Sequence, residues 1–302
     1  MMKTIKTVVL AALCWWQYGA MAQDLTITNV RIIAAGGEVI ANGSIVVRGG
    51  RIESVAAGTP ATTVGTVVDA GGRTAMPGFI DAHRHINTGP EEKAQMQALL
   101  EAGYTTILSG GGPADGNITL RDHIDHGLIN GPRIIPSGRV ALNQSADEAR
   151  AEVRRLAALG IKFTGEISLT SFPGPYEQEM AVLRAINDEA GKVGMMVQVH
   201  SVSWQSTMAA TDAGIKRLVH VTNKNFLTRD QAKQMQAAGV MVLSTVGLGS
   251  PVFDVFNDDN VPTFRDGGVW PDSIAATSRV PELFMGQEAG HAPVNARTLW
   301  DA

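Results

Sequence analysis

Between Leu25 and Val55 apolar and polar residues alternate. Leu25, Ile27 and Val30 lead into Ile32-Ile33; Ser44 to Arg48 follows, then Arg51 to Val55, with Gly36-Gly37 and Gly49-Gly50 as punctuation. A period of two bounded by glycine pairs predicts strands joined as hairpins. A lone hairpin is marginal in water, so residues 23–73 are expected to form a small β-sandwich-like lobe that packs on something else. From Thr74 the rhythm changes. Short apolar runs now alternate with helical stretches, which predicts βα units and a parallel sheet.

The predicted strands of this second region are the run ending at His85, then Thr105–Leu108, Arg133–Pro136, Ile161–Ile167, Met195–His200, Arg217–Val221 and Val240–Leu243. Between them lie predicted helices at Glu91–Ala102, Leu120–Leu128, Ser145–Leu159, from Tyr176 to near Gly194, one ending at Gly214, and one from Thr228 to Gly239. Ser145 followed by Glu148 reads as a capping box, and glycines close several of these helices. Seven βα units predict an α/β fold, a (β/α)₈ TIM-type barrel over residues 74–302 in which no eighth strand is visible. An open doubly wound sheet would favour a glycine-rich phosphate loop after its first strand, and this first strand ends instead in His83-Arg84-His85.

Composition narrows the function. The chain has 302 residues, is 44% hydrophobic, and can bury a sizeable core. Its net charge is −4 and its basic residues do not cluster, which argues against a nucleic-acid partner. Aromatics, at 5%, are too few for a base-stacking platform. Lys3 and Lys6 precede the apolar run Thr7–Trp16, and Ala20-Met21-Ala22 offers a small-x-small cleavage site. Residues 1–22 therefore read as a signal peptide cut before Gln23, giving a periplasmic or secreted protein with no membrane association after cleavage. Cys14 is the single cysteine, so the mature chain is expected to lack disulfides, thiol catalysis and cysteine ligands.

The candidate chemistry lies at strand ends. His83 and His85, two residues apart on a strand, share one face, and imidazole is a common metal ligand. His200 closes the fifth predicted strand and His220 the sixth. Barrel enzymes place their sites at these ends, so four histidines at three strand exits point to a metal centre. His123 and His126, three apart on a helix, read as a solvated face, and His291 is given no role.

The run Pro77-Gly78-Phe79-Ile80-Asp81-Ala82-His83-Arg84-His85, together with Asn29-Val30-Arg31-Ile32-Ile33, Gly50-Arg51-Ile52 and Val68-Asp69-Ala70-Gly71-Gly72 before it, resembles the metal-dependent amidohydrolase superfamily, in particular imidazolonepropionase-like amidohydrolases. The resemblance extends through Gly131-Pro132-Arg133 to Ala302. It implies hydrolysis of carbon–nitrogen bonds other than ordinary peptide bonds (amide, cyclic amide or deamination), a small-molecule substrate, and one or two divalent ions, with zinc the expected metal. Many such enzymes bridge two metals with a carbamylated lysine at the end of the fourth strand. Lys162 and Glu166 share strand parity but lie about 13 Å apart along it. Glu166, at the exit, is the predicted bridge, and Lys162, at the entrance, a salt-bridged residue at the barrel base. The predicted metal ligands are thus His83, His85, Glu166, His200 and His220. The family's proton-shuttling aspartate belongs to an eighth strand. None is visible here, and Asp301 follows a helix-like stretch, so the catalytic base is unassigned. These features are read as a truncated and impaired member whose β-lobe lacks the returning chain end. Asp254, Asp258 and Asp259 are alternative bases, in a long loop, Leu248–Pro281, expected to wall the pocket. A non-catalytic metal-binding barrel protein and a two-metal phosphoesterase are the competing readings. Self-association into a homo-oligomer is left open by the sequence.

Overall fold

The computed structural model describes residues 23–246 and 288–302. The expected leader and the loop holding Asp254, Asp258 and Asp259 lie outside the described residues. Chain contacts divide the protein into two units, with the boundary between Pro77 and Gly78.

In the first unit, β1 (Leu25–Ile33), β2 (Val39–Arg48), β3 (Arg51–Ala57), β4 (Thr66–Asp69) and β5 (Thr74–Ala75) form one sheet. β2 pairs antiparallel with β1 and β3, whereas β4 and β5 both run parallel to β1. Val30, Ile32, Ile45 and Ala70 make its small buried cluster. Among the described residues this unit has a single sheet layer, and every residue of β3 is exposed.

The second unit is an α/β structure with parallel sheets. β6 (Phe79–Arg84), β7 (Tyr104–Ser109) and β8 (Arg133–Ile135) form one sheet; β9 (Ser137–Gly138), β10 (Phe163–Ser168), β11 (Met196–His200), β12 (Arg217–Val219) and β13 (Met241–Leu243) form the other, each strand paired in parallel with the next. Pro136 can donate no ladder hydrogen bond, so the third predicted strand ends at Ile135 and the short β9 follows beyond it. Helices α1 (Glu92–Glu101), α2 (Ala114–Asp125), α3 (Ala146–Ala158), α4 (Glu177–Lys192), α5 (Trp204–Asp212) and α6 (Arg229–Ala237) alternate with the strands, and a last helix spans Glu288–Trp300. With β8 and β9 counted as one position in the series, the described residues hold seven βα strands.

Local sequence explains the boundaries. Ser145 and Glu148 form the expected capping box on α3, and Thr228 with Gln231 does the same on α6. Gly160, Gly194, Gly214 and Gly239 follow four of the helices with φ between +66° and +79°, the left-handed turn a side chain disfavours. The reading of α2 was displaced: the helix starts at Ala114, immediately after Pro113, and ends at Asp125. Its first turns carry Gly116 and Asn117, poor helix formers that disguised it. Leu156, Ile167, Leu183, Ile186, Val199 and Leu218 are almost wholly buried between helices and strands. Each contributes about 1.5–3 kcal/mol by leaving water.

Two interactions show that the strand series curls round. The Arg217 guanidinium on β12 donates to the carbonyl of Ala82 on β6 at 3.0 Å. The rings of His83, on the first strand of the series, and of His220, just past the sixth, have centroids 5.3 Å apart. The first strand thus lies across the interior from the sixth, as in a barrel.

Candidate metal centre

All five predicted ligands meet at the strand exits. Register sets their level: Glu166 on β10 pairs beside Gln198, and Ser168 beside His200 at the end of β11. His200 in turn pairs beside Val219, so the next residue, His220, emerges just above it. His83 lies in β6 and His85 just past its end.

Glu166 is the centre of the arrangement. Its Oε1 lies 2.8 Å from His85 Nε2. Its Oε2 lies 3.0 Å from His200 Nδ1, 3.3 Å from His220 Nε2 and 3.4 Å from His83 Nε2. The donor atoms form two groups, His83-His85-Glu166 and Glu166-His200-His220, each with its atoms within 4.8 Å of one another. Glu166 belongs to both, as a carboxylate bridging two ions would.

Electrostatics agree with a ligand set. Burial pushes the Glu166 carboxyl up, but hydrogen bonds with His200, His220 and His85 together outweigh it, and its pKa lies far below the ordinary carboxylate range. Burial drives His83 down to about 4, against the attraction of Glu166 and with help from the neighbouring histidines, so its ring is neutral. His85 is raised, first by its hydrogen bond with Glu166, against its burial.

His83 tests whether the site suits a cation. Its side chain is 6% exposed, yet neither ring nitrogen has a hydrogen-bond partner among the described residues. Its Nε2 faces Glu166 without the geometry of a hydrogen bond. An unpartnered buried polar group costs about 1–3 kcal/mol. A divalent cation between His83, His85 and Glu166 would supply the missing partner, so the residues fit the metal.

Sequence reasoning missed what supports these ligands. The Gly110 N–H donates to the Arg84 carbonyl at 2.8 Å, and the Gly110 carbonyl accepts from Glu166 N–H at 2.7 Å. This one residue fastens the exits of β6 and β10 to β7. A Cβ there would lie 2.5 Å from His83 Cε1, so only glycine fits. The run Ser109-Gly110-Gly111-Gly112 directly after a strand was the available signal. Thr245 was also missed: its hydroxyl lies 2.7 Å from His220 Nδ1.

Other expectations are corrected. Lys162 precedes β10, is exposed, and makes no ion pair among the described residues, so it is not salt-bridged as expected. His123 is not a solvated face residue. It is half-buried, and its Nδ1 lies 2.7 Å from Glu92 Oε1, tying α2 to α1. His126 is the C-cap of α2 and bonds the Asp122 carbonyl. His291, given no role, hydrogen-bonds the Asn223 carbonyl at 3.0 Å. Asp301 pairs with Arg297 at 2.7 Å and takes no part in the cluster. Beside His85 opens a cavity of about 410 Å³, lined in part by Asn87, Thr88, Glu92, Gln95 and Gly111.

A curled series of parallel strands with a histidine–glutamate cluster at its exits has the layout of a barrel enzyme, whose site lies at the strand ends. More particularly, residues 74–252 match the amidohydrolase family, and the chain belongs to it. Among curated relatives it is 27% identical over 167 residues to an enamidase from Eubacterium barkeri, covering 49% of this chain and 42% of that protein. It is 36% identical over 92 residues to an adenine deaminase from Desulforamulus reducens, covering 30% of this chain and 16% of that protein. Over 88 residues it is 38% identical to an N-acyl-D-aspartate deacylase from Alcaligenes xylosoxydans xylosoxydans, covering 29% and 17%. The matches therefore span less than half the length of each of these relatives. Among solved structures the fold resembles a Xaa-Pro dipeptidase with bound methionine in its active site, at a TM-score of 0.69 and 18% identity, covering 92% of this chain and 77% of that one. It also resembles an ochratoxinase from A. niger, at a TM-score of 0.61 and 16% identity, covering 93% and 72%.

Proposed function

We propose that His83, His85, Glu166, His200 and His220 hold one or two divalent cations, zinc being the expected ion, and that the site hydrolyses a carbon–nitrogen bond of a small molecule other than an ordinary peptide bond. The observation that carries this reading is the pair of ligand groups sharing Glu166, with His83 left unpartnered. The names of the curated relatives, which include a deaminase and a deacylase, support the bond type. A cation bound there supplies Lewis acidity, polarising a carbonyl-type oxygen and acidifying water toward neutrality.

The chain's own groups then divide the work. His83 presents a neutral ring, and Glu166 an ionised carboxylate. Glu166 is engaged by its histidines and is not free to move a proton; its role is to hold. The His85 side chain is 57% exposed and borders the cavity, so substrate approaches from that side. Gly111 lines the same cavity.

The test is metal analysis and a hydrolysis screen on the purified protein and on Glu166→Ala. We expect bound zinc in the parent and turnover among N-acyl amino acids, cyclic amides or aminopurines. Glu166→Ala should lose the bridged metal and about 10²-fold or more of activity. Full metal content in Glu166→Ala would remove the bridging role. Turnover of p-nitrophenyl phosphate alone would favour a phosphoesterase, and metal retention with no turnover a non-catalytic barrel.

We further propose export from the cytoplasm, supported by the basic, apolar and Ala20-Met21-Ala22 segments. N-terminal sequencing of the expressed protein should begin at Gln23; a mature chain that keeps Met1 would refute export by this leader.

A further inference from the structure

We infer that Thr207, on α5, is a positioning residue whose hydroxyl clamps the exits of β11 and β12 together and so sets the spacing of His200 and His220. This rests on the reading of those two histidines as ligands of one cation.

The ladder cannot set that spacing alone. The pairing of β11 with β12 ends at His200 beside Val219. His220 comes next, with φ +70°, a left-handed conformation uncommon for a residue with a side chain. Such a turn persists where its surroundings over-determine it. His220 must nonetheless hold Nε2 3.3 Å from the same Glu166 oxygen that lies 3.0 Å from His200 Nδ1. The two rings meet at 71° with centroids 4.5 Å apart. A slip of either exit would spread the donor atoms.

Three hydroxyls close the gap. Ser201 directly follows His200, and Thr222 stands two residues after His220. Thr207 Oγ1 lies 3.1 Å from Ser201 Oγ and 2.9 Å from Thr222 Oγ1. A hydroxyl both donates and accepts, so Thr207 serves its two neighbours at once. All three residues are at most 2% exposed. Neither outer hydroxyl has another hydrogen-bond partner among the described residues. Thr207 is itself held at the start of α5, where its N–H donates to the Ser203 carbonyl at 2.9 Å. Thr222 is held from its other side, since its carbonyl accepts from Asn295 Nδ2 at 2.7 Å. The N–H groups of Asn223 and Lys224 also donate to the Val202 carbonyl, at 3.0 and 2.9 Å. Those bonds join the same two loops, but each partner stands at least one residue farther from its histidine than Ser201 or Thr222.

The experiment uses the full chain with Thr207→Val, Thr207→Ser, Ser201→Ala and Thr211→Val, each checked by thermal melting. Thr207→Val keeps the branched shape and removes the hydroxyl. Thr211 is the control. It is buried on the same helix, but its hydroxyl bonds back to the Thr207 carbonyl, at 2.9 Å, within that helix. Zinc affinity is measured by competition with a chelator, and amide exchange is followed in the metal-free proteins. Loss of a group that orients a ligand typically costs about 10–100-fold in metal affinity. Thr207 acts one step further out, so we expect a loss of about 10-fold for Thr207→Val and a loss in the same direction for Ser201→Ala. Thr207→Ser should restore affinity. Thr211→Val should bind zinc like the parent even where it melts lower. Without metal, amides 201 and 221–224 should exchange faster in Thr207→Val than in the parent. Parent-like zinc affinity in Thr207→Val, an equal loss in Thr211→Val, or no rescue by Thr207→Ser would overturn the proposal. If Thr207→Val does not fold, Ser201→Ala decides by the same comparison. If the parent itself binds no zinc, the proposed function fails, and metal-free exchange then decides the clamp by itself: parent-like rates in Thr207→Val would overturn it.

Discussion

At the scale of single residues, the cluster sets opposite preferences on two neighbouring histidines. His83 has a folded pKa of about 4 against an ordinary 6.5, lowered by burial. Between those values the unfolded chain binds more protons at this residue, so folding loses stability as pH falls through the window. His85 is raised by Glu166. Its contribution is present below about pH 6.5 and is lost as pH rises through its folded value. On acidifying the metal-free protein, His85 should gain its proton first and His83 last. Histidine NMR titration checks the order; a His83 midpoint near the ordinary value would show that burial does not govern it. Comparing melting of the metal-free parent with His83→Asn at about pH 8 and about pH 5 should show the parent losing relative stability at the lower pH.

At the scale of elements, the last helix explains the loop that follows His220. Asn295 is fully buried. Its Nδ2 donates to the carbonyls of Thr222 at 2.7 Å and Asn225 at 2.8 Å, while its Oδ1 accepts from Leu227 N–H at 2.8 Å. The side chain thus satisfies three backbone groups of a loop that would otherwise bury them unpaired. Asn295→Ala should destabilise the protein by about 2–4 kcal/mol, because unsatisfied buried groups carry their full desolvation cost. Amide exchange should quicken first over residues 222–227. Uniform loss of protection, or none, would mean that Asn295 does not hold this loop. Nothing in the local pattern of Asn295-Ala296-Arg297-Thr298-Leu299-Trp300 discloses this, since its partners lie 68 to 73 positions earlier.

At the scale of the whole barrel unit, a buried polar relay lies beneath the candidate ligands. Arg217 Nε donates to Gln198 Oε1 at 3.0 Å, and Gln198 Nε2 to the Thr164 carbonyl at 2.6 Å. Arg217 also reaches the Ala82 carbonyl, one residue before His83, and lies over the Phe163 ring at 5.8 Å. Thr164 stands two residues before Glu166, and Gln198 two before His200. The relay therefore couples four strands just below the histidine–glutamate cluster. Burial lowers the Arg217 pKa. Arg217→Met keeps most of the stem but abandons Ala82 and Gln198. It should cost about 2–4 kcal/mol in urea unfolding and weaken metal binding through the displaced β6 exit. Unchanged unfolding with unchanged metal affinity would reduce Arg217 to a space-filling residue.

The alternation of apolar residues, the capping pair Ser145 and Glu148, and the glycines after α1 to α6 act over a few neighbouring positions, so they are legible in the chain itself. They determine the βα order and the placement of His83, His85, Glu166, His200 and His220 at strand exits, because strand parity and helix stops are local properties. That Glu166 rather than Lys162 stands at the level of the histidines was legible for the same reason: the two share parity but differ in level. Tertiary structure alone decided the rest. That Gly110 must lack a side chain depends on a histidine 27 residues away in β6. That Thr245 faces His220, that His123 pairs with Glu92, and that Asn295 and Arg217 bind distant carbonyls depend on how separate elements come to lie side by side. Those contacts arise from packing between segments remote in sequence, which no local period encodes.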